Sequence, residues 1–284
     1  MAQVGVAGAG VMGRGVAQSL GHAGYEVVLL DVARETLDEA AVQIERDARM
    51  SRMLPGPTMD ADKVMAAITL TTEPADLSDV EIVIENITED WAAKRELYGV
   101  LDATCPPETI FVANTSAIPI TRIGSATTRP DRTIGVHFMN PVPHKPVVEL
   151  IPGALTSTET VERTRALLSD MEKTAVEVKD ACGFISNRVL MLTVNEAAFL
   201  VHEGVADAAG VDQVFRGCFG HPMGPLETAD LIGIDTILYS IEVLHEHFGD
   251  SKYRPCPLLK QMTDAGFHGR KAGRGFYTYA TGKE

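Results

Sequence analysis

Up to about residue 180, short and densely apolar runs alternate with longer stretches whose apolar residues recur at helical spacing. The short runs read as buried strands and the longer ones as amphipathic helices. Strands are expected from Gln3 to Ala7, Glu26 to Leu30, Ala67 to Thr71, Val80 to Glu85, Ile110 to Ala113, Thr133 to His137, Val147 to Ile151 and Ala175 to Val178. Helices are expected from the first strand to about Gly24, over 34–53 and 60–67, from Glu89 to about Ala103, and from Ser157 to Glu172. This order predicts an α/β fold with a mostly parallel, doubly wound Rossmann-type sheet. The stretch of about 34–67 reads as a helical hairpin arm, turned at Pro55-Gly56-Pro57.

Beyond a linker at Lys179-Asp180-Ala181-Cys182-Gly183 the pattern changes to helix alone. Helices are expected from Phe184 to Glu203 and over about 211–219, 228–247 and 255–265. Two domains follow: residues 1–182, Rossmann-type with the arm, and residues 183–284, an all-helical C-terminal domain.

The first strand runs into Gly8-Ala9-Gly10-Val11-Met12-Gly13 and then a helix. In that setting G-x-G-x-x-G binds a dinucleotide. The first glycine makes the turn, the second admits a pyrophosphate, and the third allows close helix packing. The second strand ends in Asp31, whose carboxylate can accept from both ribose hydroxyls and repels a 2′-phosphate. That favours NAD over NADP, although Arg34 nearby could accommodate a 2′-phosphate. Gly8, Gly10, Met12, Gly13 and Asp31 are therefore cofactor candidates.

Ligands of such sheets sit at the carboxyl ends of the strands, where Glu85, Asn114, Ser116 and His137 all fall. Glu85 and Asn114 join the cofactor set. His137 is followed by a proline-studded turn and a second apolar run carrying Glu149. A strand-end histidine with a carboxylate on the next strand is how a general base is built, the carboxylate fixing the tautomer.

Composition narrows the partners. A net charge of −14 over 284 residues argues against nucleic acid or an anionic membrane surface. No apolar run is long enough to span a bilayer, and the N-terminus has no basic segment ahead of its apolar run. The four cysteines have neither CxxC nor metal-ligand spacing, so reduced thiols in a cytoplasmic protein without a metal are expected. Arg34, Arg46, Arg49 and Arg52 of the arm read as a solvated face, with Arg49 and Arg52, near its tip, able to meet a substrate phosphate.

With these residues in hand, the chain resembles the 3-hydroxyacyl-CoA dehydrogenase family over nearly its full length. The resemblance rests on the glycine turn and on Val83-Ile84-Glu85-Asn86-Ile87-Thr88-Glu89. It continues through Ala113-Asn114-Thr115-Ser116 and His137-Phe138-Met139-Asn140-Pro141-Val142-Pro143. The C-terminal half adds Gly183-Phe184-Ile185-Ser186-Asn187-Arg188, His221-Pro222-Met223-Gly224-Pro225-Leu226 and the run from Gly269 to Tyr277. The resemblance implies that His137 is the catalytic base, Glu149 its partner, and Ser116 and Asn187 hydrogen-bond donors to the substrate oxygen. It places Asn140 beside the substrate and Asn187 where it would close the site. It also implies a homodimer formed through the helical domain, and NAD-dependent oxidation of a 3-hydroxyacyl thioester.

Two departures bear on the carrier. The family's Val-Met-Lys-Leu-Val-Glu is here His144-Lys145-Pro146-Val147-Val148-Glu149, which puts a polar His144 near the reactive end. The family's Lys-Gly-Lys-like arm tip is Pro55-Gly56-Pro57. That leaves room for an acyl carrier protein in place of coenzyme A, as in enzymes making hydroxymalonyl or methoxymalonyl extender units for polyketides. A non-enzymatic NAD-binding sensor on the same fold would predict decay of the His137–Glu149 pair. The related 6-phosphogluconate and hydroxyisobutyrate class uses a lysine base and lacks the Asn-Thr-Ser block.

Overall fold

A computed structural model describes residues 3–53 and 56–279; Pro55 of the expected arm tip lies outside them. The chain divides into two compact units, residues 1–181 and 182–284.

The first unit is built on strands β1 (Gln3–Ala7), β2 (Glu26–Leu30), β3 (Ile68–Thr71), β4 (Ile82–Glu85), β5 (Ile110–Ala113), β6 (Thr133–His137), β7 (Val147–Pro152) and β8 (Thr174–Glu177). They form one sheet in the order β3-β2-β1-β4-β5-β6-β7-β8. The order turns back at β1, between β2 and β4, which creates the crevice of a doubly wound sheet. β4 and β5 are buried at every residue, as strands covered by helices on both faces must be.

Helices α1 (Val11–Ala23), α2 (Arg34–Met50), α3 (Ala61–Ala66), α4 (Trp91–Thr104), α5 (Ile120–Gly124) and α6 (Thr158–Asp170) connect the strands. Where a connection is long enough to hold a helix, the next strand returns parallel. Only the residues 138–146 separate β6 from β7, too few for a crossover, so β7 comes back antiparallel to β6. α2 and α3 form the arm. α2 stops at Met50, three residues short of its expected end, and passes into a single 3₁₀ turn, Ser51–Met53. Asp60 caps α3 by accepting from Asp62 N and Lys63 N.

The second unit comprises α7 (Ser186–His202), α8 (Ala208–Phe219), α9 (Pro225–Ile232), α10 (Ile234–Phe248) and α11 (Pro257–Asp264). The single helix expected over 228–247 is two helices. Gly233 breaks it at a φ of 110°, a left-handed value that glycine adopts without strain. Val194, Leu226, Ile234, Ile237, Ile241 and Leu259 form the buried core of this unit.

Two buried aspartates tie the C-terminal segment to these helices. Asp230 accepts from Phe276 N, Tyr277 N and the Tyr279 hydroxyl, each at 2.9 to 3.0 Å. Asp212 accepts from Leu226 N, Glu227 N and the Tyr277 hydroxyl. Burial and Asp230 together push the Tyr279 hydroxyl up to about 12. Cys182 and Cys256 are buried in the same core and Cys105 in the first unit, where burial raises its thiol to about 11. Asp230→Ala would orphan two half-buried backbone N–H groups and the Tyr279 hydroxyl, and is expected to cost about 2–4 kcal/mol in urea unfolding. An unchanged midpoint would mean that the segment docks without this carboxylate.

Candidate active site

The glycine turn opens at the carboxyl end of β1. Gly8 has a φ of 95°, and a Cβ there would stand 2.9 Å from the Asn86 carbonyl. A Cβ on Gly13 would meet the Gly8 oxygen at 1.7 Å, so the third glycine lets α1 pack onto its own turn. At Gly10 a Cβ would meet nothing within 4 Å, which leaves that backbone open to a ligand. Met12, beside it, packs against the core. Asp31, just past β2, accepts from Ala9 N at 2.8 Å through one oxygen and from Ala33 N at 3.1 Å through the other. A carboxylate can accept about four hydrogen bonds, so lone pairs remain for a ribose. Gly8, Gly10, Asp31, Val32, Thr36 and Asn86 line one cleft there.

Glu85 has a different job from the one expected. It is fully buried and held by Lys94 Nζ at 2.7 and 2.8 Å, Ile87 N at 2.7 Å and the Tyr98 hydroxyl at 3.3 Å. With no exposed surface, it cannot touch a cofactor. It anchors α4 beneath the cleft instead. Burial raises its carboxyl and Lys94 opposes that shift.

The chemistry-bearing groups meet at the ends of β5, β6 and β7. His137 and Glu149 are paired residues in the antiparallel β6–β7 register, so their side chains share a face. His137 Nδ1 lies 2.8 Å from Glu149 Oε2, and His137 Nε2 lies 3.0 Å from Ser116 Oγ. Both residues of the pair are about 5% exposed, with values of 5% for His137 and 6% for Glu149. The geometry suits an Nδ1–H donating to the carboxylate, which leaves Nε2 as the accepting, basic nitrogen.

Ser116 is placed by a residue whose role the sequence does not announce. Glu89 Oε1 accepts from Ser116 N at 2.9 Å, Ala117 N at 2.8 Å, Ile118 N at 3.3 Å and the Thr115 hydroxyl. A single carboxylate oxygen thus gathers the turn that follows β5. Lys94 Nζ stands 3.6 Å from the other oxygen of Glu89, linking this turn to the buried Glu85 pair. Asn114 accepts from Phe138 N at 3.2 Å and donates to Asn86 Oδ1 at 2.8 Å, tying the ends of β4, β5 and β6 together.

The turn after His137 is pinned from below. Lys173 is buried just before β8 and donates to the Val142 carbonyl at 2.7 Å and the Pro143 carbonyl at 3.3 Å. Burial lowers its pKa. Asn140 is exposed on this turn. His144 lies against the arm: a Cβ on Gly56 would stand 2.7 Å from His144 Nδ1.

Arg49 pairs with Glu45 of its own helix at 2.5 Å, and Arg49 and Arg52 share a depression with Asp60 and Asp62. The arm surface is therefore mixed in charge. Asn187 is half-buried in the first turn of α7, in the second unit. Glu89→Ala is expected to leave the fold intact, release the Ser116 turn and cut turnover by about 10–100-fold, since small misplacements of reacting groups are that costly. Wild-type turnover would show that Ser116 is held without it.

Comparison with known proteins places the chain in a family. Residues 3–181 match the 3-hydroxyacyl-CoA dehydrogenase NAD binding domain, and residues 183–279 match the C-terminal domain of the same enzymes. A Bacillus subtilis protein named as a probable 3-hydroxybutyryl-CoA dehydrogenase is 48% identical over 281 residues, covering 98% of this chain and 97% of its own. The 3-hydroxybutyryl-CoA dehydrogenase of Bradyrhizobium diazoefficiens is 42% identical over 282 residues, covering 99% and 96%. The crystal structure of (S)-3-hydroxybutyryl-CoA dehydrogenase from Ralstonia eutropha superposes with a TM-score of 0.92 at 37% identity, covering 98% of this chain and 99% of that one. The chain belongs to the 3-hydroxyacyl-CoA dehydrogenase family and is an NAD-dependent oxidoreductase acting on a secondary alcohol.

Proposed function

We infer that this protein oxidises 3-hydroxybutyryl-CoA, or a closely related short 3-hydroxyacyl-CoA, to the 3-oxoacyl thioester, reversibly and with His137 as base. The observation that carries the reading is the Glu149–His137–Ser116 line, in which one imidazole nitrogen is fixed by a carboxylate and the other faces a hydroxyl. The dinucleotide cleft fits NAD: Gly10 is open to the pyrophosphate, and Asp31 offers a carboxylate where the ribose hydroxyls would lie. NAD, when bound, supplies the hydride acceptor beside C3 of the substrate.

His137 Nε2 takes the hydroxyl proton, so the C3–O bond becomes a carbonyl as C3 gives up its hydride. Glu149 keeps the Nδ1–H tautomer and stabilises the imidazolium that forms. Ser116, 3.0 Å from the same nitrogen, is placed to donate to the substrate oxygen as its charge develops. In reverse, the imidazolium returns the proton to the alkoxide oxygen. Asn187 is assigned a second donor role on its Asn-Arg block alone.

A carrier-protein thioester is the weaker reading. The relatives that span the whole chain are named for the coenzyme A ester. The arm arginines that would dock an acidic protein share their surface with Glu45, Asp60 and Asp62. No helix among the described residues is long and apolar enough to cross a membrane, and we place the enzyme in the cytoplasm. The exposed Val189, Val214, Phe219, Leu231 and Tyr239 of the helical unit support a homodimer formed through that unit.

His137→Ala is expected to retain NAD binding and to lose about 10²–10⁴-fold in turnover, the usual worth of a general base. Near-normal NADH formation would sink the mechanism. Asp31→Ala is expected to raise the KM for NAD by about tenfold or more, the scale of a charged hydrogen bond, and to narrow the preference over NADP. Unchanged selectivity would remove Asp31 from the ribose.

A further inference from the structure

Arg14 stands in the first turn of α1, immediately after the glycine motif. It is half-buried, yet its guanidinium has no hydrogen bond, ion pair or ring contact with any described residue. Arg46, Arg52 and Arg95 also lack such partners but are exposed to water, whereas Arg14 is not fully so. A guanidinium kept partly out of water forfeits hydration without a partner to replace it. Such a group is held ready for a ligand.

The surroundings say which kind. Arg14 lines a cleft whose other walls include Gln18, Asp47 and Met50, together with Asn140 and Val142 of the turn that follows His137. Gln18 is buried and already directs its amide to Met59. Asp47, exposed on the facing arm helix, is the acid of the cleft and makes no ion pair with Arg14. Val142 and Met50 are apolar, and low-dielectric walls strengthen the attraction of a cation for an anion between them.

This cleft is distinct from the one that holds Asp31, whose lining includes neither Arg14 nor the turn. Asn140 is three residues beyond His137, so their Cα atoms lie within about 11 Å of each other. A molecule reacting at His137 can therefore extend into the cleft.

We propose that Arg14 is a specificity-determining residue that binds an oxyanion carried by the thioester substrate, either a phosphate of its carrier or a carboxylate at the far end of its acyl group. The planar guanidinium matches both, since each presents two oxygens to a paired set of N–H donors. The assignment rests on the proposed dehydrogenase reading and names the group that reads the substrate beyond its reacting carbon.

The test compares wild type with Arg14→Gln on three substrates with NAD. These are 3-hydroxybutyryl-CoA, the same acyl group on N-acetylcysteamine (no phosphate), and 3-hydroxyadipyl-CoA (an added terminal carboxylate). Losing a charged hydrogen bond is expected to raise KM by about tenfold or more while kcat changes little. A penalty on both coenzyme A esters at least tenfold greater than on the N-acetylcysteamine ester assigns the carrier phosphate. A penalty confined to the adipyl ester assigns the carboxylate.

Equal penalties on all three, or none, overturn the inference, as does a rise in the KM for NAD instead of the thioester. Calorimetric titration of coenzyme A and of adipate into both proteins reads the same guanidinium without catalysis. If no ester is oxidised but the wild type binds either anion tenfold more tightly than the variant, the dehydrogenase reading fails and Arg14 stands. If neither ester oxidation nor differential binding is found, both fall.

Discussion

The site depends on one strand register. β7 runs back along β6 so that Glu149 is opposite His137, and their side chains meet at 2.8 Å. Because side chains alternate along a strand, a slip of one residue would send Glu149 to the other face of the sheet and leave the imidazole without its carboxylate. Both faces of β7 are buried, with Val148 and Leu150 in the apolar core on one side, so a slipped strand would have to carry the Glu149 carboxylate into that apolar layer. Core packing and proton chemistry are set by the same pairing.

Around that pair the supporting contacts are mostly carboxylates that gather backbone N–H groups. Glu89 collects the Ser116 turn, Asp31 the glycine turn, and Asp180 takes Ile120 N and Thr121 N at the start of α5. Each satisfies donors that a tight turn or a helix start would otherwise leave unpaired. The fully buried Glu85–Lys94 pair lies beneath them, and breaking one member would leave an uncompensated charge in the interior. The acidic composition therefore includes several acids with internal duties.

Much of this was legible in the residues. The strands were readable because short apolar runs bounded by turn residues have few other interpretations, and the glycine turn because its neighbours on both sides fit. The His137–Glu149 link was readable because the chain between them is too short to do much else. Glu85 was misread for a physical reason: a glutamate at a strand end looks the same in sequence whether it faces a ligand or the interior. Its partners, Lys94 and Tyr98, are on a helix whose facing depends on packing. Glu89 stands inside a family block, but its work is done on residues 26 to 29 positions away. The split at Gly233 was missed because apolar periodicity runs on through a glycine that can also sit inside a helix.

The turn between β6 and β7 separates two kinds of heritable change. Its ends are locked by the paired strands, and its middle is tethered at Val142 and Pro143 by Lys173. The side chains of Asn140, Pro141 and Lys145 are exposed, although the Pro141 carbonyl and the Lys145 N–H each still help close the backbone turn between them. Descendants of this gene can exchange those side chains and so change what the enzyme accepts, while an inserted residue within either strand would remove the reaction itself. Selectivity in this architecture can diversify without passing through inactive ancestors.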